Sequence, residues 1–95
     1  MARGYCYIMT NRKRGVLYVG VTSDLARRAY EHRMRLIDGF TGRYGLIRLV
    51  HYEEYPLIVD AIRREKTIKR WSRDWKIALV EKSNPDWTDL YDQLL

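Results

Sequence analysis

Glu65 is the residue least suited to its surroundings in this 95-residue sequence. At 100° per residue, Leu57, Ile58, Ala61, Ile62 and Ile68 draw one apolar helical stripe, and Glu65 falls near its centre, where a leucine would be expected. Burying an unpaired carboxylate is expensive, so Glu65 requires a cation, either a structural arginine or lysine or a bound metal ion. An earlier segment sets Arg28 and His32 one helical turn apart at the edge of a stripe marked by Leu25, Ala29 and Leu36. An arginine there offers a permanently charged fork to oxyanions, and a histidine can exchange a proton near neutrality. Tyr7 and Tyr18 stand on two neighbouring β-prone runs, either as ordinary cross-strand packing partners or as polar groups facing the same site.

The elements that must position these groups follow from pattern and punctuation. Residues 5–9 and 16–21 are short β-prone runs joined by a basic polar loop containing Asn11, Arg12, Lys13, Arg14 and Gly15, which reads as a hairpin. Period two places Tyr5, Tyr7 and Met9 on one side of the first strand and Val16, Tyr18 and Gly20 on one side of the second. Thr22 and Ser23 supply an N-cap hydroxyl before a segment free of Gly and Pro to Asp38, with Asp24 in the first turn and Gly39 as the stop. Residues 46–53 are predicted as a third strand and 57–70 as a helix after Pro56. Ser72 caps a further helix to about Lys82, and Asn84 and Pro85 break it before a short tail. The order ββαβαα defines an α+β fold, a small three-stranded antiparallel sheet flanked by helices, in a single domain over residues 1–95.

Composition bounds the partners. With 46% hydrophobic residues, three Trp and eight Tyr the chain can fill a core, which excludes default disorder. It carries no apolar run near the roughly 20 residues of a membrane span and no signal-peptide pattern, so a cytoplasmic location with no membrane partner is expected. The single cysteine, Cys6, and two histidines do not supply a disulfide or a structural zinc site. All eighteen Lys and Arg lie at or before Lys82, against nine Asp and Glu in the same span. That surplus favours a polyanion such as nucleic acid. Arg12, Lys13, Arg14, Arg43 and the 63–73 cluster, Lys69 included, are read as phosphate contacts or as a solvated face. Trp71, Trp75 and Trp87 are read as core or tail-docking residues.

The Tyr7 and Tyr18 pair, the run LYVGVTSDLARRAYEH at 17–32 and the glutamate within AIRREKTIKRW at 61–71 resemble the GIY-YIG nuclease superfamily. The likeness is greatest to its small single-domain bacterial members, which are similar to the N-terminal nuclease domain found in excinuclease ABC. Tyr5, Cys6 and Tyr7 stand where the family has Gly, Ile and Tyr, and Val19 replaces an isoleucine. The resemblance implies a structure-selective DNA endonuclease linked to repair or recombination, with Tyr7, Tyr18, Gly20, Arg28, His32 and Glu65 lining its site. Asn84 matches a further polar position on the substrate side.

Phosphodiester hydrolysis gives each of these a task. Water needs a base, the transition state needs positive charge, and a metal stabilises the leaving oxygen. Glu65 is suited to hold one Mg²⁺ or Mn²⁺, since such an ion keeps several waters and takes a ligand from the phosphate. Arg28 would grip phosphate oxygens. Tyr7 is the stronger candidate base provided that nearby cations lower its pKa, with His32 assisting and Tyr18 orienting water or phosphate, and the sequence leaves open which of the two tyrosines takes the proton. Gly20 leaves room for the substrate backbone. DNA is the expected partner, with RNA and a specificity-supplying protein as further candidates; the alternative function is a non-catalytic nucleic-acid-binding or partner-recruited adaptor module.

Overall fold

The computed structural model describes residues 2–36 and 43–94. Strands β1 (Gly4–Thr10) and β2 (Leu17–Thr22) form the hairpin, helix α1 (Leu25–Arg33) follows, and β3 (Arg48–Tyr55) precedes helices α2 (Ile58–Lys69) and α3 (Arg73–Ser83). A short 3₁₀ turn at Leu90–Leu94 closes the order. The sheet is antiparallel in the order β2-β1-β3, so the α+β, ββαβαα arrangement is the one the sequence predicts. Among the described residues no helix is long and apolar enough to cross a membrane.

Burial of β1 on both faces splits the core in two. Cys6, Ile8, Val19 and Val50 pack against Ile68 of α2, Val80 of α3 and Trp87 of the tail. Tyr7 and Met9 face the other way, toward Leu25 and Ala29 of α1 and toward Leu46 and Leu49. Gly4 permits the close approach of α2, because a Cβ at that position would lie 2.7 Å from the Ile58 Cα. Trp87, Ile8, Met9, Leu49 and Ile68 have less than 2% exposure; each is worth roughly 1.5–3 kcal/mol of burial, which is how a chain without disulfides holds together.

Three boundaries depart from expectation. Helix α1 stops at Arg33, five residues short of Asp38, and its N-cap is Asp24, whose carboxylate accepts from the Arg27 N–H at 3.1 Å. Arg35 adopts φ 56°, its N–H meets the His32 carbonyl, and the Leu36 N–H meets the Glu31 carbonyl. That is a Schellman ending with arginine in the position glycine usually takes. The expected stop at Gly39 lies outside the described residues. Strand β3 runs two residues past Glu53 because that carboxylate is neutralised within the sheet: His51, Tyr55 and Arg64 donate to it at 2.8, 2.8 and 2.9 Å. Burial pushes Glu53 up, but these hydrogen bonds outweigh it and hold the pKa at about 2. Trp75 is 64% exposed, in contrast to the core role expected of it.

Candidate active site

Strand register assembles the first part of the site. Tyr7 lies opposite Gly20 and Met9 opposite Tyr18, so the two tyrosines are diagonal neighbours on one face. Their ring centroids are 6.3 Å apart. Helix α1 is held across this face by Leu25 and Ala29 and delivers His32, 4% exposed, between the rings. The Tyr7 hydroxyl and His32 Nε2 are 3.2 Å apart, and the imidazole centroid lies 6.0 Å from that of Tyr18. One turn earlier stands Arg28, whose positive charge acts on the Tyr7 hydroxyl. Its side chain is 40% exposed and its Nε sits 3.3 Å from Glu31, so it joins a buried phenol to solvent.

Gly20 has a different job from the one expected. A Cβ there would come within 2.5 Å of Tyr7 Cζ, 2.6 Å of its hydroxyl and 2.8 Å of the Tyr18 ring. Glycine therefore makes room for the tyrosine pair itself, and any side chain would push the Tyr7 hydroxyl off His32.

Burial dominates the electrostatics. It raises the Tyr7 pKa above the ordinary phenol value, Tyr18 adds to the rise, and Arg28 offsets only part of it. The cationic help expected for Tyr7 as base is outweighed. His32 is pushed down to about 4 by burial and by the neighbouring Arg28, so it is neutral at pH 7. Its Nδ1 is buried without a hydrogen-bond partner among the described residues. The folded state binds this proton less readily than the unfolded chain, so the stability linked to His32 is full above its unfolded pKa and is lost as pH falls toward 4. Lowering the pH from 7 to 5 should remove about 2 kcal/mol of unfolding free energy through this group. Denaturant titrations of the wild type and His32→Gln check this: the substituted protein should lose the slope over that window.

Glu65 lies on α2, whose buried residue Ile68 packs with the Cys6 side of the sheet. Burial first, then Glu53 and to a smaller extent Glu65, push the Cys6 thiol up to about 12. The structure realises the ion-pair option: Lys69 Nζ is 3.2 Å from the carboxylate, with the lysine side chain 51% exposed and that of Glu65 14% exposed. So exposed a partner contributes little, on the order of 0–1 kcal/mol, and can swing away. Among the described residues no three His, Cys, Asp or Glu side chains cluster to hold an ion. A lone, nearly buried carboxylate fits a hard, mostly hydrated Mg²⁺ or Mn²⁺ that draws further ligands from a phosphate, and does not fit a metal caged by protein.

The remaining candidates separate. Arg12 and Lys13 are exposed on the hairpin loop. Arg14 is bound bidentately by Glu81, at 2.9 Å for both contacts. Arg43 is exposed beside the Tyr44 ring. Asn84 is buried, donating to the Val50 and Thr88 carbonyls and accepting from the Thr88 N–H; its polar atoms fasten α3 and the tail to β3. Glu31 escaped the sequence reading, although its spacing of three and four residues from Arg28 and Arg27 was the available signal. It holds both arginines, at 3.3 and 3.7 Å.

The structure brings Tyr7, Tyr18 and His32 together on one face of the sheet, with Arg28 one turn before His32, whereas Glu65 belongs to the helix whose Ile68 packs with the Cys6 side. The chain belongs to the GIY-YIG catalytic domain family, whose model matches residues 3–78; this is a nuclease family, acting on nucleic acid. Among its relatives are small UPF0213 proteins. That of Syntrophus aciditrophicus is 31% identical over 94 residues, covering 90% of this chain and 98% of the relative. That of Staphylococcus saprophyticus is 33% identical over 86 residues, covering 86% and 99%. The solution NMR structure of a UPF0213 protein from Bacillus halodurans superposes with a TM-score of 0.57 at 31% identity, covering 92% of each chain.

Proposed function

We propose that this protein is a metal-dependent endonuclease that hydrolyses phosphodiester bonds in DNA, selecting shape over sequence. The observation that carries the reading is the buried Tyr7–His32 hydrogen bond set beside Tyr18 and Arg28. Plain packing does not call for an imidazole with an unpartnered Nδ1, a phenol and a guanidinium at one spot, since each costs desolvation.

The partly exposed Tyr18 is the phenol that meets water or phosphate. Tyr7, 1% exposed, is a positioning residue: its raised pKa keeps it protonated, and with neutral His32 it fixes the wall against which Tyr18 and Arg28 are set. Arg28 exchanges Glu31 for the phosphate oxygens and stabilises the charge that develops on them. Glu65 would hold the divalent ion, which when bound supplies Lewis-acid stabilisation of the leaving oxygen. Lys69, released from Glu65, and the loop bases Arg12 and Lys13 supply phosphate contacts that set affinity.

The adaptor reading draws on one observation, the Lys69 ion pair that occupies Glu65. Titrating labelled DNA with and without Mg²⁺ at rising salt tests the nucleic-acid reading. Binding is expected to weaken steeply as salt rises, because phosphate contacts release counterions. Affinity unchanged between about 50 and 200 mM salt would contradict it.

A further inference from the structure

Trp75 is not explained by the fold: it is 64% exposed, where a tryptophan would normally be covered. Together with Trp71, Ala78, Leu79 and Lys82 it lines an open apolar groove of about 280 Å³ along α3. Trp71 braces it edge-on, with ring centroids 5.7 Å apart at 78°. The Arg64 guanidinium in turn lies 5.0 Å over the Trp71 ring, so the aromatic floor is stiff.

The charge of this segment, with Lys82 on the groove itself, identifies the occupant. Residues 63–82 hold eight of the eighteen Lys and Arg and only three acids. Lysine is depleted in protein interfaces, which argues against an apolar protein partner or a second copy. An aromatic face edged by Lys82, on a segment rich in cations, matches the chemistry of unpaired nucleic acid, whose bases stack while its phosphates take the charges. Two further cations of α3 face the hairpin. Arg73 and Lys76 share a second depression with Val16 and Leu17, immediately before Tyr18, and Arg73 donates to the Arg14 carbonyl of the hairpin loop.

We propose that Trp75 stacks an unpaired base of a single-stranded segment in the bound nucleic acid, with an adjoining phosphate on Lys82. The inference rests on the proposed function and adds to it a preference for substrates with an unpaired extension, because a base within a duplex is already stacked.

The test measures affinity of the full chain in EDTA for a blunt DNA duplex and for the same duplex bearing a short single-stranded extension. The wild type should prefer the extended duplex. Trp75→Ala should weaken binding to it by about 10-fold and leave the blunt duplex unchanged, and Trp75→Phe should keep most of the affinity. Equal loss on both duplexes, or no loss on either, would overturn the stacking site while leaving the nuclease reading standing. A homodimer that sediments as monomer after Trp75→Ala would assign the groove to a second copy and overturn it too. Failure of the wild type to bind either DNA would instead remove the reading of function beneath it.

Discussion

Arg28→Ala is expected to lower single-turnover cleavage of DNA by about 10²- to 10³-fold while weakening binding only modestly. The asymmetry follows from where the guanidinium sits. Paired with Glu31 at 3.3 Å and close enough for its charge to act on Tyr7, it is expected to meet the phosphate most strongly when charge accumulates in the transition state. In the ground state that gain is partly cancelled by loss of Glu31. Arg27 is the control: its side chain is 77% exposed and reaches Glu31 only at 3.7 Å, and one step along the helix turns it by 100°. Arg27→Ala should change affinity slightly and the rate no further. Saturating enzyme removes binding differences from the comparison. Equal losses in the two variants would reduce Arg28 to one member of a basic surface.

Glu65→Gln should abolish dependence on divalent ions together with cleavage, and should leave the protein folded. The amide keeps the shape of the side chain and removes the charge that would hold the ion. Loss of the pair with half-exposed Lys69 costs on the order of 1 kcal/mol or less. Isothermal titration with Mg²⁺ or Mn²⁺, alongside denaturant unfolding, reads both quantities. A drop of several kcal/mol in stability with unchanged metal binding would make Glu65 a purely structural anion.

Much of this arrangement is legible in the sequence because it rests on local rules. Period two put Tyr7 and Tyr18 on matching faces of a hairpin, and 100° spacing put Arg28 beside His32. Ser72 behaves as the N-cap its position implies, accepting from the Trp75 N–H at 3.2 Å. What was hidden depends on tertiary partners. Nothing local announces that an arginine at position 35 will take a left-handed conformation and end α1. The extension of β3 through Glu53 depends on Arg64, eleven residues on. Gly20 read as space for substrate because its neighbour across the strand, Tyr7, becomes visible only once the register is known. Burial reversed the expectation for the two phenols. A tyrosine flanked by cations on paper is, in the fold, a tyrosine cut off from water, and desolvation exceeds the help Arg28 gives.

The most direct measurement incubates saturating protein with end-labelled nicked, branched, single-stranded and duplex DNA, with Mg²⁺ or Mn²⁺ and with EDTA, and resolves the products on a denaturing gel. The proposed metal-dependent cleavage, with Tyr18, Arg28 and Glu65 each contributing, predicts discrete products with the metal, none in EDTA, and none from Arg28→Ala in the same time. DNA that is bound and left whole under every metal condition would contradict it and make the protein a binding module. Cleavage unaffected by EDTA would contradict the role given to Glu65.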